Sequence, residues 1–238
     1  MSRSAGKLWL LAVVVIVLFC RAGLWQLDRA EQKQAMLAES EKVLAERKPL
    51  PLSAAGDQAR KTAYDWAVGE GRFAPGPAVL LDNQSHADRA GIRVYRVFLP
   101  ANAAPPLLVE LGWLPLPGDR KLPVIENPAG PMRVAGLLAP PPSPGIAGSQ
   151  ATPQADGSLL AIGLDRTELA GVLKMPTLAP RVLKLDPALK LGYTRDLDIL
   201  PNTLTPERHL GYAVQWFGLA LAVLITALLL TLRKRRPH

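Results

Sequence analysis

Residues 212–232 form an uncharged, largely apolar run, and Arg233-Lys234-Arg235-Arg236 closes it. No other stretch constrains the chain as much. About 20 consecutive apolar residues span a hydrocarbon core as a helix. A helix can sit there because every backbone group is bonded within the segment. Gln215 and Thr226 interrupt the run without adding charge, and Tyr212 and Trp216 mark one interface while the basic cluster marks the other. A second apolar run, Leu8–Phe19, follows a short basic start containing Arg3 and Lys7. A basic start and an apolar stretch also describe a signal peptide. However, no A-x-A precedes a plausible cleavage site, and Phe19 is too bulky for a lipidation site at Cys20. The expectation is an uncleaved helix over 8–27, with Arg21 one turn below the interface and snorkelling outward.

Charge supports this layout. The formal net charge is +8, which by itself could suggest nucleic acid. Six of the 28 basic residues (Arg3, Lys7 and Arg233 to Arg236) lie at the two membrane flanks, leaving 22 against 20 acids elsewhere. The excess sits where the positive-inside rule places it, so both termini are expected in the cytoplasm and nucleic acid is not an expected partner. The expected order is a cytoplasmic N-terminus (1–7), transmembrane helix 1 (8–27), an exported domain (28–208), transmembrane helix 2 (209–232) and a basic cytoplasmic tail (233–238). A single cysteine excludes an intrachain disulfide.

At 100° per residue, His209, Tyr212, Ala213 and Trp216 share one face of the second helix. Gly211, Gln215, Gly218 and Ala222 share roughly the opposite one. Gly218 and Ala222 make a small-xxx-small pair, so that face is expected to meet the first helix, with Gln215 near Arg21 or Gln26.

Between the membrane runs the pattern is that of an α+β domain. Asp28 to Arg47 contains good helix formers without Gly or Pro and should continue the first helix outward, stopping before Pro49. Ala63–Val68, Val79–Leu81, Ile92–Leu99, Leu107–Leu114, Met132–Leu138 and Val182–Leu185 read as strands bounded by turn residues. They predict an antiparallel sheet or small barrel. Asp165, with Glu168 three residues on, predicts a capped helix over Thr167–Leu173. Pro140–Gly157 reads as a surface loop, and Pro187–Pro206 as irregular.

Enzyme motifs are missing: there is no CxxC, HExxH, P-loop or GxSxG. Gly69-x-Gly71 is too short for a dinucleotide fingerprint, and Asp196-x-Asp198 reads as a solvated loop. No acid/base or nucleophile constellation is visible, so no enzymatic activity is expected. Of the three histidines, His238 is terminal and His86 falls in an expected turn. His209 sits at the membrane surface on an aromatic face. An imidazole there can ligate haem iron or a metal, or can simply complete the helix start as an interfacial polar residue.

Several blocks occur in order along the chain: Gly23-Leu24-Trp25-Gln26-Leu27-Asp28-Arg29 with Lys33 following, Gly71-Arg72-Phe73, Leu81-Asp82-Asn83-Gln84, Gly91-Ile92-Arg93-Val94, Gly112-Trp113-Leu114-Pro115, and His209-Leu210-Gly211-Tyr212-Ala213-Val214-Gln215-Trp216-Phe217. In these the chain resembles the surfeit locus protein 1 family of cytochrome c oxidase assembly factors, over nearly its whole length. The resemblance implies two membrane helices flanking a periplasmic domain in the bacterial inner membrane. It also implies a role in building the haem-copper oxidase of the respiratory chain, around delivery of haem a to the catalytic subunit. Oxidase subunits and the haem a synthesis machinery are the implied partners. His209 occupies the position of the family's candidate haem ligand, and Tyr212 and Trp216 could flank a porphyrin. The alternative is a cofactor-free membrane interaction protein that stabilises oxidase subunits. The chain departs from the family pattern at Glu110-Leu111, where an Asn-Arg pair is expected.

Overall fold

The computed structural model describes residues 3–142, 150–200 and 203–234. In chain order the elements are α1 (Arg3–Glu46), β1 (Pro49–Pro51), a 3-10 turn (Leu52–Gly56), β2 (Asp65–Phe73), β3 (Val79–His86), β4 (Arg89–Pro100), β5 (Leu107–Pro115), β6 (Met132–Ala139), β7 (Ala151–Pro153), β8 (Leu159–Ala161), α2 (Arg166–Val172), β9 (Val182–Leu185) and α3 (Pro206–Lys234). They divide into two compact units, Met1–Ala38 with Thr203–His238, and Glu39–Asn202.

The first unit is an antiparallel helix pair. Helix α1 runs unbroken through the apolar stretch into its polar extension and ends where Arg47 turns left-handed, two residues before Pro49. Helices α1 and α3 are both long and apolar enough to cross a membrane, and only 6% and 11% of their apolar windows is buried. A core helix of a water-soluble domain would be mostly covered, so these faces are left for lipid or for other membrane helices. Trp9 Nε1 donates to Thr231 Oγ1 at 3.0 Å near one end of the pair, and Lys33 Nζ donates to the Leu204 carbonyl at 2.5 Å near the other. Between them, Phe19 and Trp216 have ring centroids 5.5 Å apart.

The helices meet on a different face from the one the small residues suggested. Gly211, Gln215, Gly218 and Ala222 are exposed, whereas His209, Ala213 and Ala220 are buried. The small residue that permits close approach is Gly23 on α1. A Cβ there would lie 2.7 Å from Cζ of Phe217, so the aromatic ring sits directly on the α1 backbone. A ring seated on a glycine buries more surface than two small residues facing each other, which is why this face forms the contact.

The second unit is β-rich. Strands β2, β6, β9, β5 and β4 are hydrogen-bonded in that order, and the far end of β2 pairs back with β4 (Gly71↔Pro100 to Phe73↔Phe98), closing a five-stranded barrel. Closure brings two backbones together at Gly71, where a Cβ would fall 2.2 Å from the Leu99 carbonyl oxygen. Gly69-x-Gly71 therefore belongs to β2 and is not a turn: Gly71 serves closure, and Gly69 makes room for the Leu52 side chain. Phe73, Ile92, Val94, Phe98, Leu107, Val109, Leu111, Val134, Leu138, Leu183 and Leu185 form one buried cluster. Their alternation along the strands places it inside the barrel. A second cluster lies outside the wall: Tyr95, Val97, Leu108 and Val182 pack with Val79, Leu81, Leu159, Leu164, Leu169 and Leu173 from β3, β8, α2 and the adjoining segments.

The six expected strands all form, several of them longer than their apolar cores. Asp165 caps α2 as its sequence indicates, accepting from the Glu168 amide at 2.8 Å. The expected loop Pro140–Gly157 contains strand β7, which pairs antiparallel with β8. The ladder to β8 overrides the loop-forming composition there. Residues 143–149 of that loop lie outside the described residues.

Candidate functional site

His209 opens the apolar part of α3, and its backbone amide bonds the Thr205 carbonyl at 3.2 Å. Its imidazole does not project outward with Tyr212. It turns into the helix pair, is only 5% exposed, and holds Nδ1 2.6 Å from Oε1 of Gln26 on α1. Gln26 is itself 9% exposed. The other ring nitrogen, Nε2, is buried and has no hydrogen-bond partner among the described residues. Buried polar atoms are nearly always satisfied, so an orphaned nitrogen calls for a reason.

The remaining sequence-selected residues are spread around this point. Tyr212 is exposed on the outer side of α3, and Trp216 is half-buried against Phe19. Arg21 and Gln215 are exposed, and it is His209 that Gln26 meets across the pair, in place of the expected Gln215.

The β-rich unit holds a second concentration of chemistry, on the outer face of the barrel wall. Arg93, Tyr95, Glu110 and Lys184 are buried there among apolar neighbours. Arg93 Nη1 donates to Glu110 Oε1 at 2.5 Å, Tyr95 Oη donates to Oε2 at 2.8 Å, and Lys184 Nζ lies 3.1 Å from both oxygens. Register explains the meeting: Tyr95 and Lys184 are the cross-strand partners of Glu110 on its two sides. The pairing of β4 with β5 shifts between Val94 and Tyr95, leaving Leu111 as the extra residue of a bulge. The extra residue keeps Glu110 and Trp113 on the same outer face despite their odd spacing.

Burial alone would push the Glu110 carboxyl up. The Lys184 and Arg93 charges, with the Tyr95 hydrogen bond, outweigh it and hold the group below the usual carboxylate range. Burial, and then the Glu110 charge, push the Tyr95 phenol well above its ordinary value. The layer reaches the surface through Asp196, whose Oδ1 is 3.6 Å from Arg93 Nη2 and whose Oδ2 is 3.0 Å from His86 Nδ1. The His86 ring packs on Trp113 with centroids 5.2 Å apart. His86, expected in a turn, and Asp196, expected in a solvated loop, therefore face each other.

The SURF1 family matches residues 13–221 of the 238 in the chain. The chain belongs to the SURF1 family. SURF1 proteins are membrane-associated assembly factors for cytochrome c oxidase, and oxidase-related partners follow for this chain in general terms. No individual curated protein matches it. The match spans the whole β-rich unit, including the departure at Glu110, and most of the helix pair. Lys184 and Arg93 answer the Glu110 charge in place. Sequence reasoning missed this layer, although a signal was present: Arg93 and Lys184 each interrupt a short apolar strand, and a charge in such a place needs a buried partner.

Proposed function

We propose that this SURF1 protein assists insertion of haem a into the catalytic subunit of a haem-copper oxidase, and that His209 is its haem contact. The observation that carries the reading is the orphaned Nε2 of a buried histidine at the start of a membrane-spanning helix. A ring nitrogen with a free lone pair is the kind of donor that would hold haem iron, so the residues present fit the group. Bound haem would supply the iron centre that is handed on. The chain's own contribution is to orient the imidazole through Gln26 and to surround it with apolar helix surface. Phe19 and Trp216 pack on each other further along the same pair. Because the imidazole is almost wholly covered, loading requires the helix ends to part or the ring to swing outward. The protein is placed in the bacterial plasma membrane with both termini in the cytoplasm and the β-rich unit exported, in keeping with the basic flanks. Oxidase subunits and the haem a synthesis machinery are the proposed partners.

A second reading has an observation of its own. The bond between His209 and Gln26 is also what a simple clamp between two helices would look like, as in a cofactor-free protein that holds oxidase subunits together. The two separate in an absorption spectrum of full-length protein purified from haem-a-producing cells. Haem insertion predicts a Soret band in wild type that His209→Ala diminishes while membrane insertion persists, since the apolar run from Tyr212 is untouched. Full haem content with an unchanged Soret band in His209→Ala removes the ligand role.

A further inference from the structure

The contact between Gln26 and His209 carries information about the proton on the ring. A neutral imidazole has one N–H and one lone pair, and which nitrogen holds which is decided by the partners. Here Nδ1 has a partner 2.6 Å away and Nε2 has none among the described residues. If the Gln26 carboxamide presents its oxygen, Nδ1 carries the proton and Nε2 keeps a buried lone pair. If it presents its amino group, Nδ1 is the acceptor and Nε2 becomes a buried N–H without an acceptor. Orphaned buried donors are rarer in proteins than under-satisfied acceptors, which favours the first arrangement.

We propose that Gln26 is the positioning residue of the site: its carboxamide oxygen accepts the Nδ1 proton of His209, fixes the tautomer, and presets Nε2 as the atom offered to a metal centre. That Nε2 meets haem iron rests on the function proposed above, whereas the tautomer does not. A hydrogen-bonded partner of this kind raises the basicity of a ligating histidine and holds its ring at one angle, and its loss typically costs about 10–100-fold in metal affinity. Gln26 thus differs from a packing residue: a side chain of similar volume cannot replace it, but another acceptor can.

The tautomer is read directly from nitrogen NMR of haem-free, full-length protein labelled at histidine. The chain has three histidines, so the His209 resonances are identified by their loss in His209→Ala. Wild type should show a protonated Nδ1 and an unprotonated Nε2. Gln26→Leu should lose that bias, and Gln26→Glu, which keeps an acceptor, should retain it. A protonated Nε2 in wild type, or a tautomer indifferent to Gln26→Leu, overturns the proposal even if haem binds. In haem-loaded protein, Gln26→Leu should weaken binding about 10–100-fold and raise the iron reduction potential. Gln26→Glu should restore binding and lower the potential below wild type. If the tautomer behaves as expected but wild type shows no histidine-ligated haem spectrum, it is the haem reading that has failed, and with it the metal-directed role of Gln26. Equal potentials in all three proteins reduce Gln26 to a packing contact.

Discussion

Glu110→Gln is the sharpest test of how the β-rich unit is held together. The substitution keeps the shape of the side chain and removes its charge. In the native structure that charge accepts from Arg93, Tyr95 and Lys184, and Glu110 is only 2% exposed. Without it, Arg93 and Lys184 remain as buried cations, and the nearest remaining carboxylate is that of Asp196, 3.6 Å from Arg93. Breaking a buried ion pair from one side costs about 3–5 kcal/mol, because the partner is left uncompensated. A domain of this size has about 5–15 kcal/mol of stability in total, so the variant should lose a large part of it. Replacing the pair by apolar residues, Glu110→Leu with Lys184→Met, should cost less than the single change, since no lone charge opposite Glu110 remains at position 184. The assay is denaturant unfolding of full-length protein in detergent, followed by tryptophan fluorescence, with Trp66 and Trp113 lying in strands of this unit. If Glu110→Gln falls within about 1 kcal/mol of wild type, as an exposed pair would, or if the double variant is the weaker of the two, the layer is wet and the argument fails.

Two further expectations concern the helix pair and acid stability. Gly23→Leu and Ala220→Leu should disrupt the pairing of α1 with α3 in a crosslinking assay, while Gly218→Leu should be tolerated, because Gly218 has open space around it and the other two do not. Glu110 and Asp65 are both held below the ordinary carboxylate range: for Asp65, burial pushes the carboxyl up, and hydrogen bonds from Arg60 and Arg181 more than reverse it. A depressed folded value means stability that is complete above the unfolded-chain range of about 4 and is lost as pH falls through the lower folded values, so the melting temperature should drop below about pH 4, and Glu110→Gln should flatten that decline.

The parts of this fold that were legible in the sequence are those written in local pattern. The two membrane runs, the capped helix at Asp165 and six strands could be read because hydrophobic period and turn residues act over a few neighbours. Strands β1, β7 and β8 could not be read that way. Each is three residues long; β1 and β8 exist because the longer β2 and β3 offer them ladders, and β7 because β8 is then in place. The helix-pair face was misread for a related reason. The rule linking small residues to close approach was sound, but the glycine that obeys it is Gly23, on the partner helix. His209 stood out in the sequence by type and depth, yet its bond to Gln26 spans 183 residues of chain. Nothing in either segment alone announces it. Glu110 likewise looks like a misplaced acid until Lys184 and Arg93 arrive from other strands.

The order in which the barrel's staves leave the ribosome has a consequence for how it is born. Strand β9 sits between β5 and β6, parallel to one and antiparallel to the other, yet it follows β6 only after residues 140–181. Until Val182–Leu185 is delivered, β5 and β6 each present an open ladder edge, and the apolar inside of the barrel is slit along its length. Such edges recruit other chains, and a long closing segment slows the step that seals them. A four-residue strand thus acts as the keystone of this unit. Everything made before it is scaffolding that stays adhesive, and an assembly factor of this kind is, for the interval before its own closure, a protein in need of protection.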